Sequence, residues 1–302
     1  MIYSIFKFRL KIRNLQKAVI LIIGMVAVFG FTEVKSQEQV SLQNTATHLF
    51  YSEKLQQYYL IDVFLPKGYQ PKESEYQFPK YPVIYVLNSR PNAVMAATMR
   101  HVSELSREII VGIGFADKDG NPVGSFANYT RDLTPTADND WEQASTAGSG
   151  GSAEDFFQFI DNKVKPFINK TYNVNKYNQT LVGHSFAGLF GLYVLFNHND
   201  SFNRYVIASP SLWWDDKVIF KMEEDYSNTH SSMDKKVFIS VGSNELKSGP
   251  QGMIDNAKEL ADKLGSRNYS DLDLWFNIFE DETHLSVVAI SIQEGIETVL
   301  TK

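Results

Sequence analysis

The sequence predicts an α/β fold: a mostly parallel central sheet with helices on both faces. Three observations carry that prediction. Runs such as Tyr81–Leu87 (YPVIYVL) and Glu108–Gly114 (EIIVGIG) are apolar on both faces, as strands are when a parallel sheet is covered from both sides. Segments with helical spacing alternate with these strands along the chain. Finally, Thr180–Leu195 (TLVGHSFAGLFGLYVL) joins a β-prone run to an apolar helix through a single serine set among small residues.

Taken in order, residues 1–36 have the makeup of a signal peptide: a basic stretch to Lys17, an apolar run from Ala18 to Phe31, and Val34 and Ser36 ahead of a cleavage point near Gln37. The apolar run is shorter than the ~20 residues of a spanning helix, so a cleaved leader is expected rather than a permanent membrane anchor. A single domain over residues 37–302 follows, exported to the periplasm or beyond.

Within that domain, Ala46–Leu65 reads as a strand pair stopped by Pro66 and a Lys67–Gly68 turn, and Gln70–Lys80 as a polar loop. The Tyr81–Leu87 strand is broken by Asn88–Asn92; a helix is expected from Val94 to Leu105, then the Glu108–Gly114 strand. Phe115–Ser152 has no regular pattern and includes Asn128–Thr136 and a Gly/Ser-rich stretch at Gly148–Ser152. Loops this long in one domain are usually functional or disordered. Ala153–Lys165 has helical spacing and runs into Pro166. His198–Asp200 closes the helix that follows Ser185. Tyr205–Ser209, Val237–Val241 and Leu272–Phe279 read as further strands, with helices at Asp216–Tyr226, Met253–Leu264 and Leu285–Leu300. No internal repeat is present.

Composition narrows the function. With 302 residues, 43% of them hydrophobic, the chain can bury one large core. Its net charge of −6 hides an asymmetry: beyond residue 36 there are 23 basic against 34 acidic side chains, a net −11. An acidic surface of that kind argues against nucleic acid and anionic membranes as partners. There is no cysteine, which excludes a lipoprotein anchor, disulfides and a thiol nucleophile. No metal or cofactor is expected, since no His/Asp cluster has ligand spacing.

The chemistry centres on Gly183-His184-Ser185-Phe186-Ala187-Gly188. A serine at the apex of a sharp strand-to-helix turn needs small neighbours at minus two and plus two, here Gly183 and Ala187, and is held near a helix N-terminus that favours a developing oxyanion. Serine is a poor nucleophile without a histidine base and an orienting acid. In the order nucleophile, acid, histidine, only His284 lies in a loop after a late strand and before the last helix. His48 and His101 precede the serine, His184 points away on the turn, and His198 and His230 lie in polar stretches. For the acid, Glu245 follows the Val237–Val241 strand in a Gly242–Glu245 turn, with Asp255, Asp281 and Glu282 as rivals. The backbone amides of Phe186 and of the Asn88 region are candidates for the oxyanion hole. Tyr129, Arg131, Trp213 and Trp214 are candidates to line a substrate cleft, against core packing for the tryptophans and an ordinary ion pair for Arg131.

Assembled, these residues resemble the putative esterase family of α/β-hydrolases, which includes siderophore esterases, esterase D-like enzymes and some feruloyl esterases. The resemblance is carried by Phe64–Tyr69, Tyr81–Leu87, Arg131–Pro135, Gly183–Gly188, Ser209–Trp214 and Glu282–His284, and spans roughly residues 46–300. It implies the α/β-hydrolase fold and a carboxylic-ester hydrolase with Ser185 as nucleophile, His284 as base and Glu245 in the usual acid position. Two departures stand out: Asn88-Ser89-Arg90 replaces an Asp-Gly-Asp-like turn, and Ala187 a usual glycine. A small-molecule ester, from a siderophore or a carbohydrate-linked acyl group, is the expected partner. Acyl transfer, or a binding module that kept the fold without turnover, are the competing readings.

Overall fold

The computed structural model describes residues 42–72, 79–87, 90–99, 107–138, 140, 148, 150–247, 249 and 251–301. The expected leader (1–36), Asn88 and Ser89 lie outside the described residues. The chain divides after Gln43, and Asn44–Lys302 make the unit described here.

Its strands form one eight-stranded sheet in the order β1-β2-β4-β3-β5-β6-β7-β8. The hairpin β1 (Thr45–Ser52) and β2 (Gln57–Phe64) is antiparallel, and β2 also pairs antiparallel with β4 (Ile109–Ala116). From there the sheet is parallel through β3 (Tyr81–Leu87), β5 (Val174–His184), β6 (Arg204–Ala208), β7 (Ser232–Gly242) and β8 (Ser270–Phe279). Parallel strands are buried on both faces, and alternation along β3 shows it: Val83, Tyr85 and Leu87 enter one core cluster, Ile84 and Val86 the other. The second cluster is closed by α1 (Arg90–Met99) and α8 (Val287–Thr301) through Ala93, Ala97, Ile292, Ile296 and Val299. The first is closed by α3 (Ala153–Phe159), α5 (Phe186–Asn197) and α7 (Ile254–Ser266), with Phe156, Phe190 and Leu260 at its centre. The predicted architecture is therefore the observed one.

Helix boundaries depart from the sequence reading in three places, each with a physical cause. The first helix starts at Arg90 rather than Val94, because Pro91 sits in its first turn, where a missing N–H costs nothing. The irregular stretch after β4 contains α2 (Phe126–Leu133), capped by the Ser125 hydroxyl accepting from the Asn128 amide. Its inward residues are Thr130, Asp132 and Leu133, so polar side chains break the apolar periodicity that would announce a helix. After α3 the chain does not stop at Pro166: a π turn at Ile160–Val164 leads into α4 (Lys165–Thr171) and accommodates the proline. The remaining helix, α6 (Trp214–Ser227), begins with Asp215, Asp216 and Lys217 in left-handed conformations. Among the described residues no helix is long and apolar enough to cross a membrane.

The parallel strands all end on the same rim of the sheet, which is where α/β folds place their ligands. Trp214 anchors the loop after β6 beneath that rim: it is fully buried and its indole N–H donates to the Thr136 carbonyl at 3.0 Å. Trp214→Ala is expected to lower stability by about 3–5 kcal/mol through the cavity it leaves, read as a shift in the urea midpoint without a change in slope.

Candidate active site

Ser185 lies between β5 and α5 with φ 61° and ψ −121°, a left-handed backbone that a side-chain-bearing residue adopts only when its surroundings impose it. The imposing contacts are specific. The Ser185 amide donates to the Ala208 carbonyl at 3.0 Å, and the Ser185 carbonyl accepts the Leu189 and Ser211 amides at 3.0 and 3.2 Å. At minus two the turn closes so tightly that a Cβ on Gly183 would sit 2.1 Å from the Ala187 carbonyl oxygen. Ala187, at plus two, is wholly buried.

Around this serine the structure gathers two partners named from chain order. His284 Nε2 is 3.0 Å from Ser185 Oγ, and His284 Nδ1 is 2.7 Å from Glu245 Oε2. The carboxylate is the one at Glu245; Asp255, Asp281 and Glu282 do not take that bond. Its side chain is 1% exposed against 38% for His284, so the acid is sealed while the base faces the cavity. Burial alone would raise the Glu245 carboxyl, but the His284 ring, the Ser209 hydroxyl at 2.6 Å and the Gly242 amide at 2.7 Å together hold it below its ordinary value. An ionised carboxylate only accepts, so His284 Nδ1 carries the proton and Nε2 is left to accept from Ser185.

The loops bearing acid and base are tied to each other. The Ser243 amide donates to the Phe279 carbonyl and the Asn244 amide to the Glu282 carbonyl, both at 2.9 Å. Their approach is so close that a Cβ on Gly242 would lie 2.3 Å from the Glu282 carbonyl oxygen.

A cavity of about 440 Å³ opens over the serine, lined by Phe126, Phe186, Ser211, Trp213, Asn244, Leu246, Gln251, Met253 and Thr283 together with Ser185, Glu245 and His284. One wall is aromatic: Phe186 lies 6.2 Å from Phe126 and 5.8 Å from Trp213, edge to face in both pairs. Of the four residues expected to line a substrate cleft, Trp213 lines this cavity. Trp214 does not, being buried in the core, and the tandem tryptophans divide into one wall residue and one anchor. Arg131 and Tyr129 are likewise outside the lining. The Arg131 guanidinium is engaged with the fully buried Asp132, Nε to Oδ1 at 2.5 Å and Nη2 to Oδ2 at 3.0 Å, and Asp132 also accepts from Tyr59. Of the oxyanion candidates, Phe186 opens α5 directly beside the serine. Among the described residues no cluster of three or more His, Asp or Glu side chains is arranged to hold a metal ion.

Comparisons with known proteins give the family. The family model described as Putative esterase matches residues 52–272. A ferri-bacillibactin esterase, BesA of Bacillus subtilis (strain 168), is 31% identical over 234 residues, covering 73% of this chain and 79% of its own. The chain belongs to the putative esterase family. This esterase is an ester hydrolase of the α/β-hydrolase fold. A siderophore triacetylfusarinine C esterase of Aspergillus fumigatus is 27% identical, over 79% of this chain and 87% of its own. Among solved structures, the BES protein from Bacillus cereus superposes with a TM-score of 0.73 at 30% identity, covering 87% of this chain and 98% of that one. Siderophore hydrolase EstA from Aspergillus nidulans reaches 0.72 at 23% identity, over 87% and 98%, and shares the fold.

Sequence alone does not mark Ser209, Ser211 and Phe126 as neighbours of the esterase's site. The His184 ring, expected to point away from Ser185, reaches the base loop. The His284 carbonyl accepts from His184 Nε2 at 2.8 Å, and the two rings lie 4.5 Å apart. Burial, and then the nearby His284, push the His184 imidazole down to about 4. The unfolded chain therefore binds a proton near the ordinary histidine value that the folded chain refuses. Stability carried by neutral His184 is complete above about pH 6.5 and is lost as pH falls towards about 4. Urea unfolding at pH 7 and pH 5 should show this loss, and His184→Phe should show a smaller pH difference; an equal difference would assign the acid sensitivity elsewhere.

Proposed function

We propose that this esterase is an exported serine hydrolase that opens the ester bonds of siderophores through an acyl-enzyme on Ser185. The observation that carries the reading is the unbroken line of hydrogen bonds from Ser185 Oγ through His284 to Glu245, ending at a cavity wall. In the mechanism, His284 Nε2 takes the Ser185 proton as Oγ attacks the ester carbonyl, and Glu245 stabilises the imidazolium. The Phe186 amide, at the helix N-terminus, holds the oxyanion. Collapse breaks the ester C–O bond, with His284 returning the proton to the leaving alcohol. A water then enters, is deprotonated by His284, and releases the acid and Ser185.

Siderophore esters are favoured as substrates because the named relatives act on ferri-bacillibactin and on triacetylfusarinine C. The aromatic wall of Phe126, Phe186 and Trp213 suits a substrate with flat or apolar parts. Export is supported by the basic stretch, apolar run and small residues of positions 1–36.

Two measurements test this. Hydrolysis of short p-nitrophenyl esters and of a siderophore trilactone should fall by about a million-fold in Ser185→Ala and in His284→Ala, with the double variant no worse, because triad members act as a unit. A fluorophosphonate should label the wild type alone among them; hydrolysis retained by Ser185→Ala would sink the mechanism. N-terminal sequencing of protein recovered outside the cytoplasm should start near Gln37, and an unprocessed chain retained in the cytosol would overturn export.

A further inference from the structure

The short loop Ser209-Pro210-Ser211 after β6 touches both ends of the hydrogen-bonded line. At one end the Ser209 hydroxyl donates to Glu245 Oε1. At the other, Ser211 Oγ lies 3.3 Å from Ser185 Oγ, while the Ser211 amide donates to the Ser185 carbonyl at 3.2 Å. Ser211 is 2% exposed yet lines the cavity, and it grips Ser185 through backbone and side chain together. The loop is rigid for local reasons. Ser209, at φ 41°, donates its amide N–H to the Ser240 carbonyl at 2.7 Å, and Pro210 packs against α5 at Gly188, where a Cβ would meet Pro210 at 3.1 Å.

The direction of the Ser185–Ser211 bond follows from the rest of the line. Glu245 accepts from Nδ1–H of His284, so Nε2 offers a lone pair and the single Ser185 proton points to it. Ser185 has no second proton to give. The hydroxyl of Ser211 must therefore be the donor. Of the four directions around Ser185 Oγ, one is the bond to Cβ, one the proton facing His284, and one a lone pair facing Ser211. The fourth is a free lone pair, on a serine that lines the cavity.

We propose that Ser211 is a further catalytic residue, whose hydroxyl donates to Ser185 Oγ and fixes the rotation of the nucleophile so that its free lone pair meets the ester carbonyl. This rests on Ser185 being the nucleophile. Ser211 keeps its proton throughout: His284 takes the Ser185 proton, the free lone pair forms the new C–O bond, and the leaving alcohol departs with the proton from His284. At 3.3 Å the hydrogen bond is long for O–H···O, and it strengthens as the proton leaves and charge gathers on Oγ, so it favours the transition state over the ground state.

The test is the acylation step itself, followed as the p-nitrophenol burst and as the rate of fluorophosphonate inactivation. In Ser211→Ala both rates should fall about 10- to 100-fold with substrate affinity unchanged, as expected for loss of one aligned donor at the reacting atom. Ser211→Thr, which keeps the hydroxyl, should recover most of that loss. Ser211→Cys, similar in size but a weak donor, should resemble the alanine variant and covers the case in which Ser211→Ala does not fold. Wild-type acylation rates in Ser211→Ala or Ser211→Cys would overturn the proposal, as would equal losses in the alanine and threonine variants, which would assign Ser211 to packing alone. Failure of the triad reading is distinguishable: it would show as hydrolysis surviving Ser185→Ala, whatever Ser211 does.

Discussion

Everything at the rim of this sheet depends on holding Ser185 in a left-handed backbone. Such a conformation costs on the order of 1–3 kcal/mol, and it persists only because its surroundings leave no alternative. The amide of Ser185 is fastened to β6 through Ala208, its carbonyl to both α5 and the loop after β6, and α5 behind it is buried along its length from Phe186 to Phe196. Strain at one residue is thus supported by the packing of a whole helix against the sheet centre. The reward is geometric: the hydroxyl stands clear of the sheet, within reach of loops from β6, β7 and β8.

Those loops are not independent supports. The acid's turn after β7 and the base's loop after β8 exchange backbone hydrogen bonds, and His184, at the end of β5, binds the carbonyl of His284 itself. The base is therefore located by its own side chain's partners and, separately, by its backbone. A single ionised carboxylate then sets the sense of every hydrogen bond in the line. Glu245 can only accept, and from that one fact the donors run outward through His284 and Ser185 to Ser211. Burial of Glu245 makes the arrangement stringent, because three donors converge on a group that would otherwise be costly to leave charged.

The same physics explains what could be read from sequence. The strands β3 and β4 and the turn at Ser185 were legible because burial on both faces and a demand for small residues leave marks in neighbouring positions. That Ser185, Glu245 and His284 would meet followed from chain order, given a parallel sheet whose strands end on one rim. The α2 helix was not legible, since Thr130 and Asp132 face inward where an apolar stripe would be sought, although Ser125 three residues before Asn128 is a capping signal. For Arg131 the sequence offers a substrate contact or an ordinary ion pair, and the ion pair is the one formed; what no local pattern reveals is the burial of its partner Asp132. Ser209 and Ser211 look like ordinary loop serines. Their placement depends on a positive φ at Ser209 and on which strand lies beside β5, facts of topology rather than spacing.

The two positions flanking the serine show how unequal apparently similar constraints are. A methyl group at Gly183 would collide with backbone, the carbonyl of Ala187, which cannot move without unwinding the first turn of α5. At Ala187 the methyl group is wholly buried and the turn still closes. The close approach usually asked of the plus-two residue is instead met at Gly188, whose Cα faces the Ala208 carbonyl and Pro210. That contact seats the Ser209–Ser211 loop on α5. The turn thus closes with alanine in place of the usual glycine, while a Cβ one residue along, at Gly188, would crowd the loop that grips the nucleophile, 3.1 Å from Pro210.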